Sequence, residues 1–302
     1  MLSAELYFII ILPMTAKTSR PFFSIIIPTL NEEKYLPKLL GDLSKQTYPL
    51  ASFEVIHIDA MSEDKTTELA GKSAGKLNFT TYTVKKRNVA HQRNFGAKKA
   101  QGRWVIYMDA DDRLPKYFLQ GICYQISKFR KMDLFTTMVL PEKNTPAYQT
   151  LVRALNVLIV AQNKIGPNFA WGGMLGLKRN LAQKYRFKEH LVLGEDHNLV
   201  RALIKDGYKF EVLSDPQFTI SLRRQRKDGL LKSGWIQANV FINSIFKEEL
   251  IEDYGYVMLG GQHYQAKSKE QLAKKLGEKI THFTQQQKDK IRQILETLKP
   301  LY

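Results

Sequence analysis

Apolar positions in the first third of the chain come in short dense runs, separated by polar stretches that carry a helical period. Residues 22–28 form the first run and break at Pro28-Thr29-Leu30-Asn31, after which apolar positions 36, 39, 40 and 43 set a helix. Asn31 is the expected N-cap with Glu32 and Glu33 in the first turn, while Pro37 moves the hydrogen-bonded ladder later. A second strand at 53–59 ends in Asp59, and Ser62 or Asp64 is placed to cap the helix that runs to about Ala74. His57, inside that strand, reads as a packed core or sheet-face residue. A strand at 79–84, the basic Lys85-Lys86-Arg87 and a helix at 89–100 follow. The helix carries His91, Gln92, Arg93 and Asn94 near its start, and Gly96, Ala97 and Ala100 leave room for close packing. Residues 104–108 (Trp104-Val105-Ile106-Tyr107-Met108) then read as a buried strand that stops abruptly at Asp109, Asp111 and Asp112.

Strands alternating with helices predict an α/β fold: a mostly parallel, doubly wound sheet flanked by helices. Such sheets bind ligands outside the carboxyl ends of their strands. Thr29, Asn31, Asp59, Asp109 and Asp111 are therefore expected to converge on one crevice.

Further along, the pattern predicts a helix at 115–130, a strand at 134–140 and a helix at 148–160 whose stripe Leu151, Leu155, Leu158 and Ile159 reads as core. The pair Gly172-Gly173 after Trp171 reads equally as a close approach to a ligand or a tight turn. Glu195 and Asp196 open a helix with apolar positions 199, 200, 203 and 204; strands at 209–213 and 218–222 follow. The basic run Arg223-Arg224-Gln225-Arg226-Lys227 comes next, where it can reach the crevice and pair with phosphates. Beyond Gly229 the chain turns helical, with an aromatic, basic amphipathic stretch at 230–246 and a capping box at Thr284 and Gln287.

Composition narrows the picture. With 302 residues and 44% hydrophobic content the chain can bury one large core or two modest ones. A net charge of +17 favours polyanionic surroundings: nucleic acid, anionic lipid or phosphorylated substrates. The single Cys123 excludes an intramolecular disulfide and fits a reducing compartment. No apolar run reaches the roughly 18 residues of a transmembrane helix. The apolar stretch at 6–12 follows Glu5 rather than a basic region, so it reads as a weakly membrane-seeking leader, or as upstream translation with Met14 as the start.

Carboxylates at the mouth of a buried strand repel one another and resist desolvation unless a cation sits among them, and all-oxygen donors suit Mg²⁺ or Mn²⁺. Such a metal would clamp a diphosphate. The competing reading is a polar turn in which Asp111 or Asp112 caps the helix near Pro115, and capping competes likewise for Glu195 and Asp196.

Taken together, these motifs are similar to those of family 2 glycosyltransferases of the GT-A fold. The segment from Ser24 through Pro28-Thr29-Leu30-Asn31-Glu32-Glu33 resembles the family's opening strand and turn, and Asp59-Ala60-Met61-Ser62-Glu63-Asp64 its nucleotide-contacting segment. Arg93-Asn94 with Gly96 resembles its pre-metal helix, Asp109-Ala110-Asp111 its Asp-x-Asp motif and Glu195-Asp196 its acceptor-side acidic pair. The likeness spans roughly residues 22–227, in the family's order. Ala60 departs from it, and the Arg-x-x-Arg-Trp pattern of processive members is not clearly present.

The resemblance implies a nucleotide-sugar donor and transfer to an acceptor hydroxyl with inversion. It puts Pro28, Thr29, Asn31, Glu32, Asp59, Arg93, Asp109, Arg223 and Arg224 on the donor, with Asp59 at the nucleoside. Asp111 with Asp109 would hold Mg²⁺ or Mn²⁺, and Asp196, or else Glu195, would serve as base. The acceptor is expected to be lipid-linked or a saccharide, and the protein cytoplasmic, with the inner face of the cell membrane as a docking surface if the 230–246 helix is interfacial rather than packed on the catalytic domain. The expected organisation is a leader at 1–20, a catalytic domain at 21–229 (nucleotide-sugar half 21–115, acceptor half 116–229) and a helical extension at 230–302.

Alternatives are a non-catalytic sugar-nucleotide-binding relative and a basic nucleic-acid-binding protein; the latter leaves acidic strand ends unexplained, so no nucleic acid is expected. A sugar-phosphate nucleotidyltransferase would need a Gly-rich, Arg-containing loop after Ile27. Gly71-Lys72-Ser73-Ala74-Gly75-Lys76-Leu77 lacks phosphate-loop spacing.

Overall fold

Strand β1 (Phe23–Thr29) is buried along its whole length, as an unbroken apolar run demands of a strand covered on both faces. The computed structural model describes residues 20–165, 173–191, 194–221 and Arg223. Readings placed on residues 1–19, on Trp171 and Gly172, on Arg224 and on 230–302 lie outside the described residues.

After β1 come α1 (Leu36–Ser44), β2 (Phe53–Asp59), α2 (Thr66–Ala74), β3 (Phe79–Thr83), α3 (Val89–Lys99), β4 (Trp104–Met108) and α4 (Phe118–Lys128). The chain continues through β5 (Leu134–Pro141), α5 (Pro146–Ile165), β6 (Met174–Lys178), α6 (Arg179–Lys184), α7 (Glu195–Lys205) and β7 (Phe210–Ile220). The strands form one seven-stranded sheet in the order β3-β2-β1-β4-β6-β5-β7. Neighbours pair in parallel except where β6 runs antiparallel between β4 and β5.

The alternation along β1 divides the core. Phe23, Ile25 and Ile27 face one layer, with Leu36, Leu39, Leu40 and Leu43 of α1, Phe118 and Ile122 of α4, and Val152 and Ile159 of α5. Ile26 faces the other, with Ala90 and Ala97 of α3, Leu181 of α6 and Leu199, Val200 and Leu203 of α7. Each large apolar side chain buried this way contributes about 1.5–3 kcal/mol. Helix α3 approaches β1 closely because Gly96 carries no Cβ; one placed there would meet Ile26 Cγ2 at 2.5 Å.

Several local expectations are corrected. Asn31 is not a helix cap: it sits in the left-handed region at φ 58° and its Oδ1 accepts from Glu63 N at 2.8 Å, while α1 starts at Leu36, with Pro37 in its first turn. Ser62 bonds Asp59 rather than capping α2, and Asp64 Oδ1 accepts from Thr66 N at 2.9 Å. The strands expected at 209–213 and 218–222 are one strand, β7, which tolerates Pro216 because it falls in a register shift between the Leu213 and Phe218 pairs, where no ladder N–H is needed. Met174–Lys178, not anticipated as a strand, is the antiparallel β6.

Candidate active site

Thr29 and Asp59 close β1 and β2 side by side in register, β4 pairs with β1 in parallel, and Asp109 follows the last residue of β4, so the carboxyl ends of these three strands lie together. The backbone beneath them is held by Gln92 of α3, whose Nε2 donates to the carbonyls of Thr29 at 2.8 Å and Ile58 at 2.7 Å. Asp59 is buried and accepts from Ser62 N at 2.9 Å, Ser62 Oγ at 2.5 Å and Thr29 Oγ1 at 3.1 Å. Pro28 lies in β1 opposite Ile58, just below this rim.

Arg93 is the hinge of the arrangement. Its guanidinium is 3% exposed, donates from Nη2 to Asp109 Oδ1 and from Nη1 to Glu195 Oε1, both at 2.9 Å, and lies over the Phe187 ring at 5.3 Å. The solvated-face reading of Arg93 is thereby excluded. Burial pulls its pKa down, but Asp109, Glu195 and Asp196 outweigh burial and raise it. One cation thus ties the carboxylate after β4 to the start of α7.

Glu195 and Asp196 do not cap α7: its N-cap is Gly194 in the left-handed region at φ 75°, and Asp196 Oδ1 accepts from the adjacent His197 N at 2.9 Å. Burial, then the neighbouring Asp196, raises the Glu195 carboxyl's pKa. Burial raises Asp196 to about 6, against the lowering pull of Arg93. The segment entering α7 is clasped to α3: Asn94 exchanges two 2.9 Å bonds with the Phe187 backbone, while Glu189 meets Lys86 Nζ at 2.7 Å and His91 Nδ1 at 3.1 Å. These contacts hold Glu189 down at about 2, Lys86 first among them. The polar run His91 to Asn94 was the only sequence signal for this clasp and for Gln92.

The carboxylates after β4 do not cap α4 either, whose N-cap is Tyr117 without a side-chain bond. Asp111 Oδ2 lies 3.0 Å from Arg223 Nε, and Arg223 grips Glu32 through Nη1 at 2.6 Å and Nη2 at 2.7 Å while lying over the Tyr35 ring at 4.9 Å. Glu32 therefore anchors an arginine rather than facing a donor. Burial raises its pKa, and Arg223 partly offsets that. Asp112 is fully enclosed: burial, then Asp111 and Asp109, raise its pKa well above the usual carboxylate range, and its Oδ2 finds no hydrogen-bond partner among the described residues. Gly173 gives the glycine reading its outcome: its carbonyl accepts from Asp109 N at 2.9 Å, and a Cβ there would meet Asp112 Oδ2 at 3.0 Å.

Among the described residues, no group of three or more His, Cys, Asp or Glu side chains is disposed as a ready-made metal cage. The donor set still fits a hard cation. Asp109 is 39% exposed, Asp111 lies beside it in sequence, and Asp112 carries an unsatisfied buried oxygen. One or two carboxylates completed by phosphate oxygens is how Mg²⁺ is usually bound.

The family model for glycosyl transferase family 2 matches residues 24–186, more than half of the chain. The PGL/p-HBAD biosynthesis glycosyltransferase of Mycobacterium bovis is 35% identical over 210 residues, which cover 66% of this chain and 69% of that one. Poly(ribitol-phosphate) beta-N-acetylglucosaminyltransferase TarS of Staphylococcus aureus is 28% identical over 214 residues, 67% of this chain but 36% of TarS, so this chain spans about a third of that relative's length. Among solved structures, the Pyrobaculum calidifontis mannosyltransferase PcManGT in complex with GDP-Man and Mn²⁺ superposes with a TM-score of 0.59 at 17% identity, covering 94% of this chain and 82% of that one. S. aureus TarS 1–349 in complex with UDP gives 0.53 at 23% identity, covering 76% and 66%. These likenesses establish the sheet architecture as that of the GT-A glycosyltransferases.

Proposed function

Because this chain belongs to glycosyl transferase family 2, we propose that its crevice transfers a sugar from a nucleotide-sugar donor to an acceptor hydroxyl, with a divalent metal and with inversion at the anomeric carbon. What supports this reading is the Arg93 bridge: a single guanidinium contacts both the Asp-x-Asp motif and the acidic pair of α7, so donor and acceptor chemistry share one pocket.

Asp59 is the acceptor for a donor group on the nucleoside. Asp111 with Asp109 would hold Mg²⁺ or Mn²⁺, and the ion would neutralise the charge that develops on the departing diphosphate. Arg223, which pairs with Asp111, would add positive charge for the diphosphate. Glu195 pairs with Arg93 through Oε1, which favours Asp196 over Glu195 as the base. Its carboxylate takes the proton from the acceptor hydroxyl as that oxygen bonds to the anomeric carbon and the bond to the nucleoside diphosphate breaks. Inversion follows from one such displacement. A Methanococcus voltae relative, 28% identical over 202 residues, is named for transfer to dolichyl N-acetyl-alpha-D-glucosaminyl phosphate, which supports a lipid-linked saccharide as the acceptor class. No described helix is long and apolar enough to cross a membrane.

Hydrolysis and transfer assays over a panel of nucleotide-sugars, with and without Mn²⁺ and across pH, test the reading. Turnover of one donor is expected to require metal and to rise with pH along an acid limb centred at about 6, where Asp196 loses its proton. Turnover that ignores metal, or that holds level from pH 7 to 5, contradicts it.

A further inference from the structure

His57 is fully buried in the middle of β2, among Val55, Ile56 and Ile58, where an aliphatic side chain would fill the same layer. Burying an imidazole there is unfavourable unless both nitrogens are bonded, and both are. Nε2 lies 2.8 Å from Thr29 Oγ1 and Nδ1 lies 3.1 Å from Thr81 Oγ1 on β3. The directions of these bonds can be deduced. Thr29 has one hydroxyl proton and gives it to Asp59 Oδ1 at 3.1 Å, a carboxylate that only accepts. His57 must then donate to Thr29 from Nε2–H, so its Nδ1 accepts from the Thr81 hydroxyl. Burial holds the imidazole neutral, with its pKa at about 4, and the ring stacks on Phe79 at 5.8 Å.

We infer that Thr81, His57 and Thr29 form a one-way hydrogen-bond relay whose function is to fix the Asp59 carboxylate for a nucleoside, His57 acting as a positioning residue for donor recognition. The inference rests on the donor-site reading above. Each member donates its hydrogen bond in the direction of Asp59. Asp59 Oδ1 is thereby saturated by Thr29 Oγ1 and Ser62 Oγ, and its Oδ2, which accepts from Ser62 N at 2.9 Å, is the oxygen with capacity for an N–H or O–H donor of the base or ribose. Without a donor at its oxygen, the Thr29 hydroxyl is free to rotate off Asp59. The carboxylate then loses a fixed partner that no aliphatic residue can replace.

Two measurements test this. Nitrogen-15 spectra of the imidazole in the unmodified protein are expected to show the Nε2–H tautomer, unchanged between pH 8 and 5.5; an Nδ1–H tautomer or an average of the two overturns the relay. Calorimetric titrations with UDP, GDP and inorganic pyrophosphate, each with Mn²⁺, are then compared for His57→Leu, His57→Gln and Thr81→Val. Losing one such bond should weaken the preferred nucleoside diphosphate about tenfold in His57→Leu, and less in Thr81→Val. Pyrophosphate binding should stay within about twofold of the unmodified protein, on the scale set by the same bond energy. Gln, whose amide offers one donor and one acceptor, should restore most of the nucleotide affinity. Equal losses for nucleotide and pyrophosphate mean general damage to the sheet, and no loss for either means that the relay does not reach the nucleoside; both overturn the proposal. If the unmodified protein binds neither diphosphate, the donor-site reading itself falls and takes the relay's role with it, while the tautomer is still read separately in the nitrogen spectrum.

Discussion

Asp196→Asn is expected to reduce glycosyl transfer by roughly 10²–10⁴-fold, the usual contribution of a positioned base, while donor binding changes little, because the proton moves only as the acceptor attacks. The same substitution should make the protein more stable at neutral pH. In the folded chain the Asp196 carboxyl titrates at about 6, raised by burial from 3.8. Between those values the native state keeps a proton that the unfolded chain has released, so stability falls as pH rises through the window. Above it the buried charge opposes folding by about 3 kcal/mol, which the neutral amide avoids. Denaturant melts at pH 7.5 and pH 4 measure this. The variant should gain at the higher pH and lose the gain at the lower, and a variant that loses both activity and stability at pH 7.5 would make Asp196 a structural residue instead.

Arg93→Met carries the largest expected stability effect. The guanidinium is 3% exposed, and its removal strands Glu195 in the core without its cation and frees Asp109 from its partner. Breaking a buried pair from one side typically costs 3–5 kcal/mol, because the charge left behind must be neutralised or hydrated. Urea unfolding is the measurement. Arg93→Met with Glu195→Gln should recover part of the loss, since the stranded charge is gone, and a double variant no better than the single would show that the bridge is not what holds α7 to α3. Arg93→Lys should not rescue it, because a point-like ammonium cannot reach two carboxylates as a planar fork does.

Features carried by contiguous residues were legible in the sequence. The unbroken run of β1, the abrupt acidic end of β4 and the helical spacing of α1 each depend on neighbours in the chain, and together they gave the sheet and the location of the crevice. What depended on distant partners was hidden. Glu32 looked like a first-turn residue of a helix, yet its partner Arg223 lies 191 positions away; the Arg93 and Glu195 pair spans 102. Asn31 had the composition of a cap, but the turn after β2 offers Glu63 N as a competing partner, and a left-handed backbone suits Asn. Strand β6 escaped because Met174-Leu175-Gly176-Leu177 is short, and its glycine is there to let the Phe135 ring across the sheet, where a Cβ would come within 2.2 Å. Pro216 divided β7 in the sequence pattern because the pairing itself shifts register there, although one strand continues through the irregularity.

Asp109 and Asp111 after β4 are proposed to bind a nucleoside diphosphate through a divalent metal, with Asp59 at the end of β2 on the nucleoside. Isothermal titration of the unmodified protein and of Asp111→Ala with UDP and GDP, each with and without Mn²⁺, tests it most directly. The unmodified protein is expected to bind at least one diphosphate only when Mn²⁺ is present, and Asp111→Ala to bind neither. Undiminished, metal-independent binding by Asp111→Ala would contradict it.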